Sequence, residues 1–180
     1  MKPSDWPENE NRGGLPYYPP KTYSDKGLKV LGPYDNGDTS WMEYENAKGE
    51  FAVEYHGIRY DIGNIKKILN TYLKEGKNKA YEYDEDSLHS GQKCVRGVYL
   101  SSKIAVVEEY TDVLTVREIN KSFRVVFQCR VNPEKIRQPK TQPDYWILKG
   151  DGQEIRPYRL LVKEEENKSI INNENNENDN

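Results

Sequence analysis

The chain has two histidines, His56 and His89, and only His56 stands directly before a glycine, in Glu-Tyr-His-Gly-Ile (54–58). Tyr99 lies 43 residues further on and closes a Gly-Val-Tyr run, with Ser101 and Ser102 just behind it. Asp144 stands 45 residues beyond Tyr99, opening Asp-Tyr-Trp-Ile-Leu (144–148). An imidazole, a flat phenol, two hydroxyls and a carboxylate can hydrogen-bond a ligand, stack on it or stabilise its charge. Each also has an ordinary structural reading. A histidine that ends a strand bonds a turn, a tyrosine fills a core, serines cap a helix, and an aspartate after Gln-Pro sits in a turn.

Other chemistries find less support. No G-x-S-x-G occurs, and neither histidine carries a nucleophile motif, so a hydrolase triad is not expected. The two cysteines, Cys94 and Cys129, match no metal spacing, and the two histidines are far apart. No metal site is therefore expected. Two free thiols in a reducing compartment are the expectation for the cysteines.

These residues need elements to position them. Residues 49–57 alternate Phe51, Val53 and Tyr55 against Ala52, Glu54 and His56. That pattern predicts a half-buried strand with His56 on the face opposite the aromatics. Residues 61–76 change period. Ile62, Ile65, Ile68, Leu69, Tyr72 and Leu73 fall within an arc of roughly 140° on a helix, with Lys66 and Lys67 outside it. Asp61 is the expected N-cap and Gly76 the expected stop. A short strand is expected over 96–102 and a second helix over 103–114. Residues 123–131 alternate Phe123, Val125, Phe127, Cys129 and Val131 against Arg124, Val126, Gln128 and Arg130, the clearest strand in the chain. Residues 132–143, with three prolines, read as a loop. Residues 144–162 read as a hairpin turning at Gly150-Asp151-Gly152. Residues 77–95 read as irregular, and 15–40, rich in Pro, Gly and Tyr, as turns and extended segments packed on the domain. The expected class is α+β with mostly antiparallel strands.

Composition sets the limits. The 180 residues fit one domain with tails. Residues 1–14 are polar and expected to be loose. The stretch 164–180 reads as an acidic, Asn-rich disordered tail. It carries six acids and one lysine, more negative charge than the whole chain's −3, so residues 1–163 are slightly basic. Net charge therefore does not point to nucleic acid. The chain is polar, with a mean hydropathy of −1.02, and holds 14 tyrosines, residues that bury a ring and want a partner for the hydroxyl. No secretory leader or membrane span is expected, which suits an intracellular protein, cytoplasmic or nuclear.

Taken in order, Tyr-His-Gly (55–57), Arg-Gly-Val-Tyr-Leu-Ser-Ser-Lys (96–103) with the helix that follows, and Asp-Tyr-Trp-Ile-Leu (144–148) resemble an ADP-ribosyltransferase domain of the poly(ADP-ribose)-polymerase-like kind. Tyr-Tyr-Pro-Pro (17–20), Gly-Leu-Lys-Val (27–30), Arg-Val-Asn-Pro-Glu-Lys-Ile-Arg (130–137) and Glu-Ile-Arg-Pro-Tyr-Arg (154–159) resemble a divergent subgroup of that family. The resemblance spans residues 15–163 and implies a split antiparallel β-sheet core with a few short helices. It implies NAD as co-substrate, cleaved between nicotinamide and ribose through an oxocarbenium-like transition state. In the family pattern His56 would bond a ribose hydroxyl, and Gly57 would offer its backbone to the carboxamide. Tyr99 would stack on nicotinamide, and Ser101 or Ser102 would add a hydroxyl. Asp144 would stabilise the ribose charge. Two departures bear on activity. Active relatives usually carry Glu where Asp144 stands, one methylene longer, and Ile58 replaces a frequent Ser or Thr. The resemblance thus implies NAD binding, with slow transfer of single ADP-ribose units at most. Two rival readings are an inactive scaffold that keeps the fold, and an RNA binder using the basic and aromatic residues of 126–131 and 156–159. The sequence does not identify the acceptor.

Overall fold

A computed structural model describes residues 10–30, 32, 37–59, 65–68, 73, 88–89, 92–93, 97–138, 144–148 and 153–166. The core is a five-stranded sheet. Its longest members, β9 (Lys121–Val131) and β12 (Ile155–Glu165), pair antiparallel along most of their length. β3 (Ser24–Gly27) adds to the outer edge of β12. On the other side, β4 (Ala52–Gly57) and β8 (Val113–Val116) line up end to end along β9. Pro157 lies within β12, where it cannot donate a ladder hydrogen bond, and the register shifts between Pro157 and Arg159.

Strand alternation builds two cores, one on each face. Val125, Phe127, Cys129 and Val131 of β9 enter one, with Ile58, Leu73, Leu100, Trp146 and Leu148. Val126 of β9 enters the other, with Tyr17, Tyr23, Val53, Tyr55, Val107 and Leu161. The alternation expected for β9 therefore holds. Its seven C-terminal residues are all buried because both faces are covered. β4 likewise is buried on both faces over its first four residues, more than the half-buried strand expected.

A three-stranded sheet, β10 (Ile136–Arg137), β11 (Trp146–Leu148) and β7 (Val98–Leu100), helps cover the first face. So does a helical turn at 65–68, where Ile65 and Ile68 pack on that core while Lys66 and Lys67 are exposed, as the helical period requires. The capping residues Asp61 and Gly76 lie outside the described residues, as do Ile62, Leu69 and Tyr72. The second face is covered by Tyr17 and Tyr23 and by α1 (Ile104–Glu108). Two further hairpins pair β1 (Glu10–Arg12) with β2 (Leu15–Tyr17), and β5 (Leu88–His89) with β6 (Gln92–Lys93). All strand pairing among the described residues is antiparallel, with a few short helices, as an α+β class requires.

Several expectations are corrected. Residues 144–162 are not a hairpin: β11 pairs with β10 and β7, and β12 with β9 and β3, so the two strands belong to different sheets. The local turn signal at 150–152 lies outside the described residues, and it is outweighed by a long-range match between two 11-residue strands. The helix expected over 103–114 stops at Glu108. Thr111 turns its hydroxyl back onto the Val107 carbonyl (2.8 Å), and the β-branched run after it joins β9 instead. Ile136–Arg137, read as loop, is a strand. The N-terminal boundary also moves. Residues 10–14 belong to a hairpin rather than a loose leader, and Arg12 is buried. At the other end, Glu164 and Glu165 complete β12 and pair with Lys121 and Arg124.

Arg12 fixes a buried charge cluster. Its Nε meets Glu50 Oε1 at 2.6 Å, and Arg130 Nη1 reaches the same oxygen at 3.0 Å. The Asn46 backbone N–H donates to Glu50 Oε2, and Arg130 also donates to the carbonyls of Met42, Glu43 and Phe51. The cluster staples residues 42–51 onto the sheet. Burial pushes the Glu50 carboxyl up, but the bonds from Arg12 and Arg130 outweigh it and hold the group below its ordinary value. The buried tyrosines also find partners. Tyr55 donates to the Tyr18 carbonyl (2.6 Å), Tyr23 to Glu108 (2.7 Å), and Tyr17 accepts from Gln128 (3.0 Å).

Candidate functional site

β4 and β7 meet at one antiparallel bridge, Tyr55 with Ser101, made by two backbone hydrogen bonds of 2.8 and 3.1 Å. Extending that register puts Gly57 opposite Tyr99. No ladder bond continues there among the described residues. Instead, His56 Nδ1 lies 3.0 Å from the Tyr99 carbonyl oxygen. The two motif residues, 43 apart in sequence, meet where the strands part.

That contact sets the chemistry of the imidazole. A carbonyl oxygen only accepts, so Nδ1 must carry the hydrogen. Burial lowers the His56 pKa, with the Tyr99 carbonyl opposing in part, so the ring is neutral at pH 7. Nε2 is then a hydrogen-bond acceptor. Gly57 contributes through its backbone. Successive residues of a strand point their N–H and C=O to opposite edges. The groups of Gly57 therefore aim where those of Tyr55 do, towards β7, beyond the last bridge.

The glycines of both motifs are also needed for packing. A Cβ on Gly57 would stand 2.5 Å from Thr111 Oγ1 and 3.0 Å from the Val107 carbonyl, at the end of α1. A Cβ on Gly97 would stand 2.7 Å from Ile147 Cγ2 and 2.8 Å from the Leu148 carbonyl, on β11. Close approach of chain to chain is sufficient reason for both residues.

Tyr99 meets His56 through its carbonyl, not its ring. Alternation from the Tyr55–Ser101 bridge sends the Tyr99 ring to the α1 side of the strand pair and the imidazole to the other. The Tyr99 ring, about one-third exposed (36%), belongs to a tyrosine cluster. Tyr145 packs edge-on against it at 6.4 Å between centroids, and against Tyr110 at 5.8 Å. The Tyr110 and Tyr145 hydroxyls share a hydrogen bond, and Arg59 lies over the Tyr110 ring at 5.6 Å.

Ser101 and Ser102 are buried. Ser101 Oγ accepts from the Lys103 N–H at 3.1 Å, a local turn just ahead of α1, whose N-cap is Lys103 with no side-chain cap bond, so neither serine caps the helix. Asp144 stands at the start of the β11 segment but turns outward to Lys103 Nζ, 2.7 Å away, both side chains being about half exposed. The side chain that this segment sends to Tyr99 is that of its neighbour, Tyr145. The signal for Tyr145 was period two: Ile147 is the register partner of Tyr99, so Tyr145 shares its face. Sequence reading also missed Glu54, which sits on the same face of β4 as His56. It is fully buried, and neither carboxylate oxygen meets a donor. Burial pushes its carboxyl well above the ordinary range. Across the sheet from it, the Cys129 thiol is pushed up by burial and then by Glu54.

The residues that suggested RNA binding are committed within the fold. Arg130 is buried in the charge cluster. Arg156 lies against the Trp41 and Phe51 rings, and Arg159 against Tyr158. Among the described residues, no helix is long and apolar enough to cross a membrane, and no group of His, Cys, Asp and Glu side chains is placed to hold a metal ion. In comparisons with known proteins, no family model matches this sequence, and no curated protein matches it significantly.

Proposed function

We propose that this domain binds NAD as an ADP-ribosyltransferase-like protein and transfers single ADP-ribose units slowly at most. The observation that carries the reading is the contact of His56 with the Tyr99 carbonyl at the point where β4 and β7 part. The imidazole and the Tyr99 ring leave the strand pair on opposite faces, against the expectation that they line one cleft, so the ribose and nicotinamide contacts would fall on opposite sides of it. The neutral imidazole offers Nε2 to a ribose hydroxyl, and Gly57 offers backbone N–H and C=O to a carboxamide. The Tyr99 ring offers a flat face to nicotinamide. When NAD is cleaved, the bond from ribose to the nicotinamide nitrogen breaks and the bonding pair leaves with the ring. The ribose carbon is then captured by an acceptor that gives up a proton.

Slow transfer follows from the charge arrangement. The oxocarbenium-like ribose needs a carboxylate set close to it. Asp144 is short, and its charge is already matched by Lys103. The side chain entering the tyrosine cluster from that segment is an uncharged phenol. The same observation favours a second reading, a binding module that keeps the nucleotide site without transfer. The buried Cys129 thiol suits a reducing, intracellular setting, cytoplasmic or nuclear.

Two measurements on the full chain separate these outcomes. A thermal-shift titration with NAD should raise the melting temperature. Labelled NAD with a cell extract should give slow single-unit labelling, abolished by Asp144→Asn with NAD affinity kept within a few-fold. Absence of a shift at millimolar NAD would sink the reading. Long polymer would contradict the short, compensated carboxylate.

A further inference from the structure

We propose that Tyr145 is a built-in plug of the aromatic site, occupying the place that the planar ring of a ligand takes between Tyr99 and Tyr110. The inference rests on the NAD reading and deepens it by naming the residue that sets access for the ring. Three observations support it. Tyr145 packs edge-on against both tyrosines at once, with interplanar angles of 77° and 71°. Edge-to-face packing is a favoured geometry for an aromatic ring, so the place already suits an aromatic guest. The hydroxyls of Tyr145 and Tyr110 are hydrogen-bonded to each other, which latches the plug to the far wall. Tyr99 and Tyr110 nevertheless keep 36% and 40% of their surface exposed, so the cluster opens to solvent and is not a closed core.

Tyr145 is also poised to leave. It precedes β11, whose pairing with β7 begins at Trp146 opposite Leu100, so its backbone stands outside the ladder. A ring entering against Tyr99 has to break the Tyr110–Tyr145 bond and turn Tyr145 out. Affinity is then reduced by the fraction of molecules in which the place is open.

The test compares the wild-type chain with Tyr145→Phe and Tyr145→Ala, using nicotinamide as a flat-ring probe and NAD as the whole ligand. Binding is read by calorimetry, with circular dichroism confirming that each variant is folded. Tyr145→Phe loses only the latch and should bind nicotinamide a few-fold more tightly. Tyr145→Ala opens the place and should bind it about tenfold more tightly or better. Unchanged or weaker binding by the folded Phe variant overturns the proposal, even if the Ala variant fails to fold. The two readings fail differently. Gains for nicotinamide without NAD binding by any chain would support the plug and reject the NAD site. NAD binding by wild type without gains in either variant would keep the NAD site and reject the plug. No binding of either probe by any chain would reject both.

Discussion

The two faces of β4 treat their polar groups in opposite ways. On the Val53 and Tyr55 side, Glu50 is wholly buried yet meets two arginines and a backbone N–H, and the Tyr55 hydroxyl bonds a carbonyl. Gln128 and Arg130 on that side each keep one unmet atom, but other atoms of both side chains are bonded. On the opposite side, Glu54 is equally buried and has no partner for either oxygen, and His56 spends one ring nitrogen on the parting strand. Burial alone thus does not set the state of a carboxyl. Glu50 is held ionised by its arginines, while Glu54 is driven towards its neutral form. Native interiors seldom leave buried polar groups unmet, so the face carrying Glu54 and His56 is the one whose residues stability does not explain.

The largest effect should come from breaking the satisfied face. Glu50→Ala leaves Arg130 buried without its anion and Arg12 with only the longer contact to Glu10 (3.9 Å), and loss of one member of such a cluster costs about 3–5 kcal/mol. Urea unfolding at neutral pH should show this loss, and a change below about 1 kcal/mol would mean that water reaches the arginines. The wild-type contribution of Glu50 should also vanish as pH falls through its lowered folded value.

Gly57→Ala tests the packing of the same face. The new Cβ meets Thr111 and the Val107 carbonyl, and overpacking of this kind costs about 1–3 kcal/mol. Adding Thr111→Ala should recover part of the loss, whereas a melting temperature unchanged by Gly57→Ala would remove the packing explanation.

Relieving the unsatisfied face should do the reverse. Glu54→Leu should stabilise the fold by about 1–2 kcal/mol at pH 8, because an unmet buried polar group is removed. The folded state binds the Glu54 proton more tightly than the unfolded chain does. Stability therefore falls as pH rises from the ordinary glutamate range through the raised folded value. Glu54→Gln, a neutral isostere, should flatten that slope. The comparison with wild type isolates Glu54 from His56, whose lowered pKa makes stability rise with pH instead. Parallel stability–pH curves for wild type and Glu54→Gln would show that Glu54 finds a partner.

The smallest effect is expected at the rim. Asp144 and Lys103 form a half-exposed pair, and solvent screening makes such pairs nearly neutral for stability. Asp144→Asn should leave the unfolding midpoint unchanged, so any loss of transfer in that variant reports on chemistry rather than folding.

Local periodicity determined β9, β4, the helical turn at 65–68 and the short strand β7, because alternation and helical spacing are properties of neighbouring residues. It also placed His56 on the face opposite Tyr55, whereas Tyr99 stood out only through the Gly-Val-Tyr resemblance. Strand partnership was decided elsewhere. A turn signal after β11 could not reveal that β11 would join β7 and β10, since that choice depends on which distant edge fits. The same long-range pairing set the contact of His56 with the Tyr99 carbonyl and the turning of Asp144 to Lys103. It also brought Tyr145 between Tyr99 and Tyr110. Arg12 looked like part of a polar leader because a sequence does not show which buried carboxylate lies 38 residues away. Residue types and spacing determined the groups this protein has to work with. Only the tertiary structure decided which of them face one another, because burial and hydrogen-bond partnership depend on contacts between distant parts of the chain.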